Sequence, residues 1–217
     1  MGVLSFITFL PLLGGLIILM IPKEKSQMVR AVAAAASATA FVASLWLWAN
    51  FNSATADFQF VEKFNWIPTF NIHYFMAIDG LSLSMVVLTT LLTLLSVIAS
   101  FGIEERVKEY FFFFLMLETA MLGVFVALDF FLFYVFWELT LVPMYFLIGI
   151  WGGPKKEYAA IKFFLFTLFG SMFMLVALLT LYFNTNPHTF DYVELLKQAP
   201  NLARGSPRKT REKARII

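Results

Sequence analysis

Three ionisable residues stand inside long apolar runs: Glu138 in FWELTLVP, Glu118 in LMLETAML and Lys162 in YAAIKFFLF. A helix over the run Asp129 to Trp151 rises about 1.5 Å per residue, which puts Glu138 about 13 Å from the near end. That is close to the midplane of a hydrocarbon core about 30 Å thick. A charged carboxylate there costs on the order of 2.5–3.5 kcal/mol even on the most lenient scale. Such a residue does not serve stability, and the chemistry it offers is binding and release of a proton or a cation. Pro143, five residues on, removes the hydrogen bond to the carbonyl of Leu139, so the sequence predicts a loosened turn, a helix break, beside the carboxyl. A carbonyl freed within a membrane is re-satisfied by polar groups or water. A carboxyl, a free carbonyl and water together make a proton site.

Each of the three charges admits a second reading, which for Glu138 is a protonated, structural carboxyl. Glu118 serves equally well as a neutral, hydrogen-bonded group across a helix interface or as a proton carrier. Lys162 lies one turn inside its run, where a lysine either snorkels to the headgroups or takes part in transfer. Thr140 and the pair Thr89–Thr90 are expected to hydrogen-bond their own backbone. The aromatic runs Phe111–Phe114 and Phe130–Trp137 are expected to face lipid or pack between helices.

Composition sets the surroundings of these groups. The chain has 217 residues, 60% hydrophobic and 14% charged, with mean hydropathy +0.80. Soluble domains sit near 45–50% apolar and about 25% charged, so this is an integral membrane protein. Cysteine is absent, which removes disulfides, thiolate zinc sites and iron–sulfur ligation. The two histidines, His73 and His188, fall outside the apolar runs, and no metal site is expected. No glycine-rich nucleotide fingerprint follows a strand, so no NADH or ATP site is visible.

Six runs have spanning length, about 3–21, 28–48, 81–102, 110–128, 130–151 and 158–183. Backbone satisfaction in lipid makes them helices. The predicted fold is therefore an all-α membrane protein of six transmembrane helices over 1–183, with one sizeable loop at 49–80. In that loop Phe58, Phe60, Glu62, Phe64 and Trp66 alternate, and Ile72 and Tyr74 resume the pattern after Pro68, which predicts a β-hairpin on the membrane surface. Lys23, Lys25, Arg30, Arg106, Lys108, Lys155 and Lys156 cluster in three alternate loops, predicted to be cytoplasmic with the N-terminus external. Residues 184–202 read as an interfacial segment, with a short helix that turns Leu195 and Leu196 to lipid. Residues 203–217 form a basic tail that is expected to be disordered; six crossings put it on the external side, against the bias of the earlier loops.

The run Ala127 to Gly153, ALDFFLFYVFWELTLVPMYFLIGIWGG, resembles the antiporter-like chain M (subunit 4) of the proton-pumping NADH:quinone oxidoreductase, respiratory complex I. MAIDGLSLSMVVLTTLL (76–92) and EYAAIKFFLFTLFGS (157–171) resemble the starts of that family's third and sixth helices. The resemblance covers about residues 1–200, and its most specific element is W-E-x-x-L-x-P at 137–143. It implies the N-terminal part of an antiporter-like inverted-repeat fold. It also implies a membrane-arm role in proton translocation coupled to quinone reduction elsewhere in the enzyme. In the family the glutamate of that element, Glu138 here, pairs with a lysine on a seventh helix. NADH, flavin, iron–sulfur and quinone sites are then expected in partner subunits and no cofactor in this chain. The implied partners are other membrane-arm subunits and the bilayer, with no nucleic acid, in a bacterial inner membrane. The family has about fourteen helices, so the expectation is a truncated or frameshifted product, incomplete as a channel. Two other readings stay open: a subunit of a multisubunit cation/proton antiporter or membrane-bound hydrogenase, and a non-conducting structural fragment.

Overall fold

The computed structural model of the chain describes residues 2–203. Among the described residues six helices are long and apolar enough to cross a membrane: α1 (Val3–Met20), α2 (Ser26–Ala49), α3 (Gly80–Ala99), α4 (Val107–Val126), α5 (Phe130–Trp151) and α6 (Lys156–Asn184). Each falls on an expected apolar run, with its ends shifted by up to three residues. Between α2 and α3 lie β1 (Gln59–Ile67) and β2 (Ile72–Ile78), an antiparallel pair that matches the expected hairpin. Its turn is a 3-10 segment begun by Pro68 and ended by Asn71 at φ 54°. Asparagine tolerates that left-handed conformation better than most residues. A last helix, α7 (Tyr192–Ala203), is too short to span. The expected disordered tail falls, beyond Ala203, outside the described residues.

α4 sits at the middle, packed against α1, α2, α3 and α5, while α6 packs on α5. Two large apolar clusters fill the bundle, and a smaller one joins Ile72, Leu178 and Phe190. One gathers Leu4, Ile7, Leu47, Met76, Val86 and Leu122 near the hairpin; the other gathers Ile18, Val29, Val97, Val107, Phe111 and Leu115 at the far end. Close approach of α4 and α5 depends on Gly123, since a Cβ there would collide with the Phe136 ring.

The three basic loops meet at one end of the bundle. Arg30 donates to the Ile103 carbonyl at 2.9 Å, and Lys108 donates to the Ile21 carbonyl at 2.9 Å. Trp151 Nε1 donates to the Glu105 carbonyl at 2.7 Å. The hairpin closes the other end.

Three expectations change in detail. The hairpin is integrated into the end of the bundle: β2 is largely buried, and β1 turns Glu62 inward while Phe64 and Trp66 are exposed. A bulge with Phe60 at φ 54° resets the alternation. The buried Glu62 carboxylate accepts from the Leu4 backbone N–H at 2.7 Å and the Ser5 N–H at 3.2 Å, satisfying two amides at the start of α1. On α7, Leu196 is exposed but Leu195 is buried against the protein and does not face lipid. Finally, Pro143 does not break α5, which runs as one helix from Phe130 to Trp151. The fixed φ of proline is helical, so the helix continues without that N–H.

Candidate functional site

The start of α5 is fixed before its carboxyl is placed. Asp129 caps the helix, accepting from the Phe131 and Leu132 N–H groups at 2.9 and 3.2 Å and from the His73 N–H of β2 at 3.0 Å. Burial pushes its carboxyl above the ordinary aspartate value, against the pull of those amides. Asp191 caps α7 in the same way, accepting from Val193 and Glu194, and pairs with Lys63 of β1 at 2.5 Å. Phe130 N–H donates to the Phe190 carbonyl at 2.9 Å and Tyr192 N–H to the Leu128 carbonyl at 2.9 Å. The hairpin, the α5 cap and the α7 cap are thus tied together at one end.

From that end the depths of the carboxyls follow by counting. Glu138 lies eight residues beyond Phe130, and Glu118 lies eight residues before Val126. Each is about 12 Å inside on adjacent antiparallel helices. The two carboxyls therefore occupy the same level of the bundle, near the middle. Lys162 enters from the opposite end, six residues beyond Lys156, or about 9 Å. Its ammonium lies over the rings of Tyr158 and Phe166, 5.8 and 5.9 Å from their centroids. Its side chain stands on the exposed face of α6.

The surroundings of the glutamates differ. Glu118 is fully buried, on the face of α4 that also carries Leu115 and Leu122, and neither of its oxygens has a hydrogen-bond partner. The neighbouring Thr119 hydroxyl is also buried without a partner. Glu138 is half-buried, with Oε1 enclosed and without a partner. Tyr134, one turn earlier on α5, brings its hydroxyl beside the Glu138 carboxyl and toward Ser171 of α6. Ser171 is buried and donates to the Leu168 carbonyl at 2.9 Å. Thr140 donates to the Trp137 carbonyl at 2.7 Å, the local role expected of it. Among the described residues, neither glutamate has a cationic side chain within ion-pair distance, and no group of His, Cys, Asp and Glu is arranged to hold a metal ion.

Both carboxyls thus stand at mid-depth, one fully buried and one with an enclosed oxygen, without hydrogen-bond partners for the enclosed oxygens. Sequence reading found both carboxyls but not Tyr134 or Ser171. The i, i+4 spacing of Tyr134 and Glu138 was a usable signal. Ser171 offered none, because its place opposite Tyr134 depends on how α5 and α6 pack.

Residues 127–210 match the family model described as NADH:quinone oxidoreductase/Mrp antiporter, TM. Over that stretch the chain is similar to this antiporter-like family. It is 44% identical over 184 residues to the NADH-ubiquinone oxidoreductase chain 4 of Marchantia polymorpha, covering 84% of this chain and 37% of that one. It is 43% identical over 199 residues to the NADH-quinone oxidoreductase subunit M of Rhodobacter capsulatus, covering 90% and 38%. Among solved structures it resembles a chain of respiratory complex I from Thermus thermophilus with bound NADH, with TM-score 0.78 and 26% identity over 89% of this chain and 39% of that chain. A chain of the Mrp complex from Dietzia sp. shares the fold, with TM-score 0.73 at 21% identity. The chain thus spans well under half the length of these relatives.

Proposed function

We propose that this chain forms part of the proton path of a membrane-arm, antiporter-like subunit of an NADH:quinone oxidoreductase, with Glu138 as the carboxyl that takes up and gives up the proton. The observation that carries this reading is Glu138 itself. It stands mid-depth in α5 within the W-E-x-x-L-x-P element, with one oxygen enclosed and unpartnered. Glu118, at the same depth on α4, is the second carboxyl of the path. Tyr134 and Ser171 extend the polar track from Glu138 toward α6. Lys162 stands apart, nearer the basic end. The identity to complex I chain 4 and subunit M supports this assignment over a cation/proton antiporter. Redox chemistry belongs to other subunits in this reading, and the protein works within a larger membrane complex. The basic loops face the cytoplasm of a bacterial cell and the hairpin faces outward, by the bias of Lys and Arg.

A chimera tests the assignment. In a strain lacking subunit M, a subunit M whose matching span is replaced by residues 1–203 of this chain should restore NADH-driven proton pumping. An assembled complex that reduces quinone without pumping would instead favour a purely structural role for this region.

A further inference from the structure

The two large apolar clusters of the bundle are separated by a layer of different composition. On α2, the buried Ser37 and Ser44 lie between Ala33 of the far cluster and Leu47 of the hairpin-side cluster. On α3, the buried Thr90 and Thr93 lie between Val86 and Val97. On α4, which packs against α1, α2 and α3, Glu118 and Thr119 lie between Leu115 and Leu122. The hydroxyl protons in this layer are largely committed. Ser37 donates to the Ala33 carbonyl at 3.0 Å and Thr93 to the Thr89 carbonyl at 2.8 Å. Ser44 and Thr90 meet at 2.8 Å across the α2–α3 contact, with the Phe41 and Val86 carbonyls as further acceptors. A hydroxyl has one proton and two lone pairs, so these groups retain lone pairs and few protons. On α1, the buried Pro11 has no N–H to offer the Ile7 carbonyl. Glu118 and Thr119 are fully buried, and their side-chain oxygens have no partner. None of the four stretches between the clusters carries Lys, Arg or His.

We infer that this layer is a binding site for one sodium ion, with the Glu118 carboxylate as its charged ligand and Thr119 as the first of its neutral oxygen ligands. Oxygen acceptors without cationic side chains suit a hard cation and exclude an anion. The single carboxylate fixes the charge. One monovalent ion neutralises it, and an uncompensated charge at that depth is costly. A divalent ion would leave the layer positive, and it takes six to eight oxygens that commonly include several carboxylates. The apolar clusters close the layer on both sides, so the ion binds without its water and exchanges slowly. Glu118 thereby gains a second ligand beside the proton assigned to it above. The inference rests on the packing of α1 to α4 and requires no role of Glu138 in proton transfer.

Equilibrium binding of radioactive sodium to the full 217-residue chain in detergent tests it, with choline chloride holding the ionic strength constant. Uptake should be slow and should saturate near one ion per chain. E118Q keeps the size of the side chain and should weaken binding by at least about tenfold. T119V keeps the shape and removes one oxygen, and should weaken it by about threefold or more; it decides the matter if E118Q does not fold. E138Q should leave binding unchanged. The melting midpoint of the wild-type chain should rise when sodium replaces choline, and that of E118Q should not. Absence of saturable uptake overturns the proposal, as does uptake undiminished in E118Q and T119V. Loss of binding in E138Q but not in E118Q would place the ion at the other carboxyl, and a midpoint that follows pH but not sodium would leave Glu118 a proton site alone; either result also overturns it.

Discussion

A carboxyl with no hydrogen-bond partner deep in an apolar bundle is destabilising whichever way it is protonated. Glu118 is such a group, with both oxygens buried and unpaired. Replacing an unsatisfied polar group by an apolar one of similar shape is neutral or stabilising, whereas burial without a partner costs about 1–3 kcal/mol. Glu118→Met is therefore expected to raise the thermal unfolding midpoint in detergent while impairing proton pumping in the assembled enzyme. A lowered midpoint would mean that the carboxyl braces the fold. The presence of Glu118 and Glu138 was legible in the sequence, because a charge in an apolar run is visible in one dimension. Their equal depth became visible only once α4 and α5 were seen to run antiparallel and to meet at the hairpin end. The expected break at Pro143 failed because a missing N–H does not by itself bend a helix whose flanks stay packed.

At the scale of elements, helix ends and close contacts decide the geometry. The α1 start is satisfied by Glu62, which comes from a strand nearly sixty residues away. Glu62→Ala would strand the Leu4 and Ser5 amides and should lower stability by about 1–3 kcal/mol, read as a drop in the melting midpoint together with faster hydrogen exchange in the first turn of α1. Asp79 caps α3, with its carboxylate accepting from the Ser82 N–H at 2.7 Å. That amide holds the carboxyl below the ordinary aspartate value. A lowered folded value stabilises above the unfolded value and fades as pH falls through the folded one. Asp79→Ala should therefore cost about 1 kcal/mol at neutral pH, and the gap to the wild-type chain should close in strong acid. The hairpin itself was readable from its alternation and Pro68. Its inward face was not, because the bulge at Phe60 and the demand of the α1 amides for an acceptor are tertiary facts.

At the scale of the whole molecule, six spans and three basic loops were readable because hydropathy and loop charge are summed over long windows and tolerate local error. The structure puts those loops at one end and the hairpin at the other. Since the chain has no cysteine, single cysteines report sidedness cleanly. Cysteines at Ser53 and Asn71 should react with an impermeant maleimide added outside intact cells, and cysteines at Lys23 and Lys155 should react only after lysis. The reverse pattern would invert the proposed orientation.

Glu138 carries the proposed proton path. Glu138→Gln keeps the size of the side chain and its capacity for hydrogen bonds but cannot ionise. The measurement is the number of protons pumped per quinone reduced by an assembled enzyme that carries this substitution, in sealed membrane vesicles. The complex should assemble, pumping should be largely lost and Glu138→Asp should retain part of it. Wild-type pumping with Glu138→Gln would mean that the carboxyl is a neutral hydrogen bonder and that the proton path lies elsewhere.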